Sequence, residues 1–180
     1  MSRLKIAIRL RSADPAAVTG LLALRRSLPG MCPAALSRYE LWDFEGGPGL
    51  ASEVDGILSR YTDILNPNKQ ERLTLSDSGL LPGEDPGLTW ISVEVTDDCS
   101  SASETWTSVI SRAGYEVGSV GCSVLWRLGF DASLPVKTVL AFSDEIAVSR
   151  SRKGGLLSNP VSQSVRVSLA SAPGEASAPK

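Results

Sequence analysis

The chemistry open to this chain is set first by a residue it lacks: among its 180 residues there is no histidine. That removes the commonest general base, the usual catalytic triads and the usual zinc ligand sets. Acid–base or nucleophilic work is left to Asp, Glu, Tyr, Lys and Cys. The three cysteines, Cys32, Cys99 and Cys122, are widely spaced with no C-x-x-C pair, and read as buried free thiols of a reducing compartment. Asp97-Asp98-Cys99 would suit a metal or a nucleophile, but it precedes Ser100-Ser101 and an amphipathic run, where helix capping by Asp98, Ser100 or Ser101 is the stronger reading. Gly46-Gly47-Pro48-Gly49 has the glycines of a phosphate loop without its lysine and hydroxyl residue, so a turn is expected. Arg25 and Arg26 sit where cations offset a helix dipole. Arg150, Arg152 and Lys153 fit the same role and are also candidates for docking an acidic partner. No catalytic, cofactor-binding or metal-binding residue is assigned, and no cofactor is expected.

The elements that must position these residues follow from periodicity. Residues 3–11 alternate as a strand, and Asp14-Pro15 then opens a helix with an apolar face of Val18, Leu21, Leu22, Leu24 and Leu28. In the strand 35–45, Tyr39, Leu41 and Asp43 point one way and Glu40, Trp42 and Phe44 the other. A strand bulky on both faces needs cover on both, which makes Trp42 a candidate partner-interface residue. Helix 50–65 carries one stripe of Leu50, Val54, Ile57, Leu58, Tyr61, Ile64 and Leu65, and a strand at 69–76 follows. After a Ser/Gly/Pro-rich stretch the order restarts with a strand at 89–96, a helix ending at Gly114, and a long strand at 116–130. Gly118 and Gly121 predict a bulge or bend in that strand. Residues 134–157 read either as one interrupted helix or as a strand over 136–142 and a helix from Ser143. A last strand spans 162–170.

The chain repeats one sentence. Ile64-Leu65-Asn66-Pro67 and Leu156-Leu157-Ser158-Asn159-Pro160 each close an apolar run with Asn-Pro and lead into an alternating strand. Proline disfavours the helical conformation in the residue before it, and asparagine bonds locally to the backbone, so both steps should turn the chain out of a helix. Matching Ile6 with Ile91 and Asn66 with Asn159 implies a duplicated unit with a net insertion in the second copy. The expected fold is α+β: two tandem β-α-β-α-β units, 1–76 and 88–170, with antiparallel sheets covered by helices. A linker at 77–87 joins them, and a disordered Ser/Ala/Pro tail occupies 171–180. Units this small bury a modest fraction of their surface and gain from docking on one another.

A β-α-β-α-β unit with a Leu-Leu-x-Asn-Pro step closing its second helix resembles PurS, the small subunit of phosphoribosylformylglycinamidine synthase. Leu156-Leu157-Ser158-Asn159-Pro160 is the nearer match and Ile64-Leu65-Asn66-Pro67 the looser one; Gly114-Tyr115 and Val120-Gly121 are similar to the family's helix end and following strand. The resemblance implies a tandem form of a non-catalytic scaffold in purine biosynthesis. Its implied partners are a glutaminase and an ATP-dependent synthetase, with homo-oligomer formation as a further expectation. Two other readings stay open: a tandem α+β regulatory module binding a small effector, and an enzyme with an unrecognised acid–base pair.

Composition narrows the class without choosing among these. Hydrophobic residues at 42% and charged residues at 21% are ordinary for a soluble globular protein. A net charge of −2 argues against a nucleic-acid partner. No apolar run approaches the ~20 residues of a membrane span, so no membrane is expected and cytoplasm is the default location.

Overall fold

The computed structural model describes residues 1–75, 79–98, 101–148, 157–159 and 161–171. Its elements run β1 (Ser2–Leu10), α1 (Pro15–Ser27), β2 (Ala35–Gly46), α2 (Leu50–Arg60), β3 (Gln70–Thr74), β4 (Leu88–Asp97), α3 (Ala102–Arg112), β5 (Val117–Asp131), α4 (Val136–Ala147) and β6 (Gln163–Ser171). The six strands form one sheet in the order β3-β1-β2-β5-β4-β6, and the pairings are antiparallel throughout. The β-α-β-α-β order therefore occurs twice, and the two halves join through β2 and β5.

The two Asn-Pro turns are built alike. The side chain of Gln70 accepts from the Asn66 N–H at 2.7 Å, and that of Gln163 from the Asn159 N–H at 2.8 Å. Each asparagine Oδ1 accepts from the N–H two residues on, Asn68 and Val161, at 3.1 Å in both. Gln70 then pairs with Leu10, and Gln163 with Asp97. By this register Ile6 corresponds to Val93, not to Ile91 as simple alternation suggests. Ile6 faces Trp42 and Val93 faces Trp126, so these tryptophans are equivalent too. Glu40 and Val124 follow as equivalents, and they pair directly across the β2–β5 seam. A pseudo-twofold axis passes between them.

Among the described residues, helices cover one face of the sheet, as expected, and leave the other without any. The first core cluster joins Ile6, Ile8, Trp42 and Phe44 of one half with Val54 and Ile57 of α2, but also with Ile110 of α3. The second joins Ile91, Val93 and Phe130 with Val139 and Ile146 of α4, but also with Leu24 of α1. The first helix of each half thus crosses the axis and completes the core of the other half.

Local readings fare unevenly. Asp14 caps α1 through the Ala16 N–H at 2.8 Å. Val18 and Leu22, assigned to its apolar face, are instead about half exposed, and Ala17 and Leu24 are the buried residues of α1. α2 ends at Arg60 rather than 65, because Tyr61 leaves helical geometry, yet Ile64 stays fully buried. The Asp98 carboxylate accepts from the Ser164 hydroxyl at 2.8 Å, and Ser101 takes the cap position without a side-chain bond. The expected bulge lies at Gly118, where pairing steps from Ser119 opposite Glu45 to Val117 opposite Gly46, while Gly121 stays in register with Asp43. Residues 136–147 form a helix, which excludes the strand over 136–142 and agrees with the helical reading up to Ala147. Val148 leaves helical geometry, and residues 149–156 lie outside the described residues. Cys32 and Cys122 are free but only partly buried. Cys99, Ser100, Pro160 and residues 172–180 lie outside the described residues.

Ile57 has no exposed surface and lies at the centre of the first cluster. Ile57→Asp should destabilise the protein by roughly 4 kcal/mol, since an unpaired charge would be buried there. Urea unfolding measures this, and an unchanged midpoint would place the residue on a solvent face.

Candidate binding groove on the helix-free face of the sheet

Period-two alternation sends one set of side chains away from the helices: Arg3, Lys5, Ala7 and Arg9 of β1, Tyr39, Leu41 and Asp43 of β2, Ser123, Leu125 and Arg127 of β5, Ser92 and Glu94 of β4, Arg166 and Ser168 of β6. Residues 79–87 of the connector between the halves fold back onto this face. Leu81 is buried against Ala7, Tyr39, Leu41 and Leu125. Glu84 follows it down and accepts from the Leu81 N–H at 2.8 Å. Gly83 has φ +89°, a conformation that costs glycine little and other residues more.

Arg127 holds the connector in place. Its Nε donates to Glu84 at 2.7 Å, Nη1 to the Ser92 hydroxyl at 2.8 Å, and Nη2 to the Gly79 carbonyl at 3.0 Å. Both side chains of the pair are almost fully buried, at 4% and 2% exposure. Arg9 adds a second tie, donating from Nη1 to the Pro82 carbonyl at 2.7 Å while its Nε pairs with Glu71 at 2.6 Å. Tyr39 lies beneath. Burial raises its phenol pKa and the negative charge of Glu84 raises it further, with Arg9 opposing.

Beside the connector a groove of about 710 Å³ stays open. Leu41 and Leu125 line it from the sheet, Leu80 and Leu81 from the connector, and Lys5, Glu94 and Arg166 supply charge. Lys5 stands 3.8 Å from Asp43 and 3.7 Å from Glu94, and Glu94 accepts from the Ser123 hydroxyl at 3.1 Å. Arg3 grips Asp43 through Nε at 2.9 Å. Among the described residues no group of three or more metal-ligating side chains comes together. Leu41, Leu125 and Leu81 are largely covered by one another, so what the groove offers a ligand is mainly its opposed charges and the exposed Leu80.

The sequence candidates fall elsewhere. Trp42 is 6% exposed on the helix side, edge-on to Trp106 of α3 at 5.6 Å and stacked on Phe44. It is no surface anchor: its cover comes from the other half of the same chain. Asn66, Pro67 and Asn159 lie in the turns entering the edge strands, away from Trp42 and the groove. Arg150, Arg152, Lys153 and Pro160 lie outside the described residues. The groove residues went unnoticed, although Arg127 inside the apolar run from Val124 to Phe130 was a legible signal. A charge in a central strand needs a partner. Glu84, in a stretch read as a linker, gave no such sign.

No protein-family model matches the chain, and no curated protein matches it significantly. No helix among the described residues is long and apolar enough to cross a membrane.

Removing one member of the buried pair should cost far more than removing both. Glu84→Ala is expected to lose about 3–5 kcal/mol, and Glu84→Leu with Arg127→Met much less; chemical denaturation of the three proteins separates the cases. A raised folded-state pKa contributes stability that is present below the phenol's ordinary value near 10 and is lost as pH rises through the folded value. Tyr39→Phe should therefore flatten the alkaline decline of melting temperature, and identical slopes would exclude Tyr39 as its source.

Proposed function

We propose that this chain is a non-catalytic, tandem PurS-type scaffold of phosphoribosylformylglycinamidine synthase, bridging its glutaminase and ATP-dependent synthetase in the cytoplasm. The observation that supports this most is the repeated β-α-β-α-β order with both halves leaving through the same Asn-Pro turn. A bridge needs rigid, repeated surfaces more than it needs a reaction centre. Fusing two units in one chain raises the effective concentration of the second to roughly millimolar, so one polypeptide does the work of a dimer.

A second reading, a regulatory module that binds a small effector, is favoured by the groove, which draws residues from both halves.

Reconstitution tests the scaffold reading. The isolated protein should show no glutaminase, ATPase or ligase activity. Added to glutaminase and synthetase subunits from its own host, it should raise glutamine-dependent amidine formation well above the ammonia-dependent rate. Full glutamine-dependent activity without it, together with no association by native mass spectrometry, would remove that reading.

A further inference from the structure

We infer that β6 is an interface strand that pairs antiparallel with β6 of a second copy of this chain, about a twofold axis through Val167. The two six-stranded sheets then run on as one. Such pairing serves a scaffold and an effector module alike, so it rests on neither reading.

The two outer strands of the sheet are equivalents in the repeat but are finished differently. β3 is five residues long and β6 nine. β3 carries charge: Glu71 is paired with Arg9, and Arg72 with Asp55 of α2. Shortness and charge are ordinary means by which an edge strand avoids pairing with another chain. By the register that matches Ile6 with Val93, Arg72 and Thr74 correspond to Val165 and Val167. β6 therefore has valines where β3 has a paired arginine and a threonine. Val165 and Val167 are only partly covered by the second core cluster, and Leu169, next in the same row, is 41% exposed. Pairing with β4 is regular over 163–169. Among the described residues the outer backbone groups of 164–169 have no partner; only at Ala170 does the connector reach the strand, where the Gly79 N–H donates to its carbonyl at 3.2 Å.

The residues of the strand suit its own copy. One position either side of Val167 stand Arg166 and Ser168, two positions Val165 and Leu169, three positions Ser164 and Ala170. Antiparallel pairing on that centre sets Val165 against Leu169 of the second copy on the helix side, and Arg166 against its Ser168 on the open side. Centring on Arg166 instead would place that arginine directly opposite itself, and like charges so placed are destabilising. With Val167 at the centre the two arginines lie diagonally, each beside its own Glu94 on β4. The one charge of β6 thus selects the register. The apolar row of Val165, Val167 and Leu169 continues across the junction, and its exposed part leaves water.

Sedimentation equilibrium of the full chain over a concentration series tests this, with hydrogen exchange of β6 read at the same concentrations. A reversible monomer–dimer equilibrium is expected, with the outward amides of 164–169 slowing as dimer forms. Val165→Arg gives β6 the residue that β3 carries, and should weaken association about tenfold or more. Circular dichroism checks that this variant folds. Arg166 is exposed, so Arg166→Ser should fold as well, and it should strengthen association by removing the diagonal repulsion, a gain that no folding defect imitates. The mass of a single chain at millimolar concentration would overturn the inference. So would a dimer whose β6 amides exchange as in the monomer, which would place the contact on another surface. Unchanged association in folded Val165→Arg, or weaker association in Arg166→Ser, would overturn it too.

Discussion

The structure depends on the antiparallel seam between β2 and β5. Each half contributes three strands, with its long inner strand at the seam, and each sends its first helix across it. Trp106 of α3 meets Trp42 edge-on over β2, while α1 brings Gly20 close to Trp126 of β5. Neither half therefore holds a complete core. A unit of this size buries only a modest fraction of its surface, and each half here lacks the helix that completes its core. Exchanging helices across the axis turns two marginal units into one cooperative body. Gly20 has its place in this, because a Cβ there would come within 3.2 Å of Leu36 and 4.0 Å of Trp126.

Duplication supplies a symmetric frame, and the connector breaks the symmetry. Leu41 and Leu125 are equivalents by register and flank the axis on the open face. Leu81 lies on both, so one residue outside the repeat caps a symmetric apolar floor. The charges do not follow the repeat: the equivalent of Arg127 is Asp43, and the equivalent of Lys5 is Ser92. Asp43 faces Arg3 and Lys5, whereas Arg127 turns to Glu84 in the connector. Burying a charged pair gains little over an apolar pair of the same volume, because desolvation offsets most of the attraction. What the pair does give is direction, since Arg127 can be satisfied only when Glu84, Ser92 and Gly79 are all in place.

Much of the frame was legible in the sequence because it rests on local rules. Alternation placed the strands, and the parity of Tyr39 and Leu41 against Trp42 and Phe44 predicted which side chains share a face. Asn66 and Asn159 marked both turns, since proline acts on its immediate neighbour whatever the tertiary context, but not the helix ends expected of them: α2 stops at Arg60 and α4 at Ala147. What escaped depends on distant parts of the chain. Trp42 looked like a surface anchor because periodicity shows that a face is bulky but not what covers it. Here the cover is α3, more than half the sequence of the first unit away. The stripe through Leu65 overstated α2 because Ile64 is buried from a turn as well as it would be from a helix. Glu84 read as solvated linker because its partner, Arg127, lies in the other half.

The same asymmetry makes the two ends of the open face differ. Leu41 and Leu125, related by the twofold axis, are 2% and 4% exposed beneath Leu81 and draw no distinction between those ends. Arg166 lies only on the β6 side, while the corresponding outer strand of the first half, β3, carries Leu73 on the open face. The connector closes over the Leu81 side and is anchored through Arg127 in β5 and Arg9 in β1. The repeat provides the surface, and the residues that depart from the repeat make its two ends unlike.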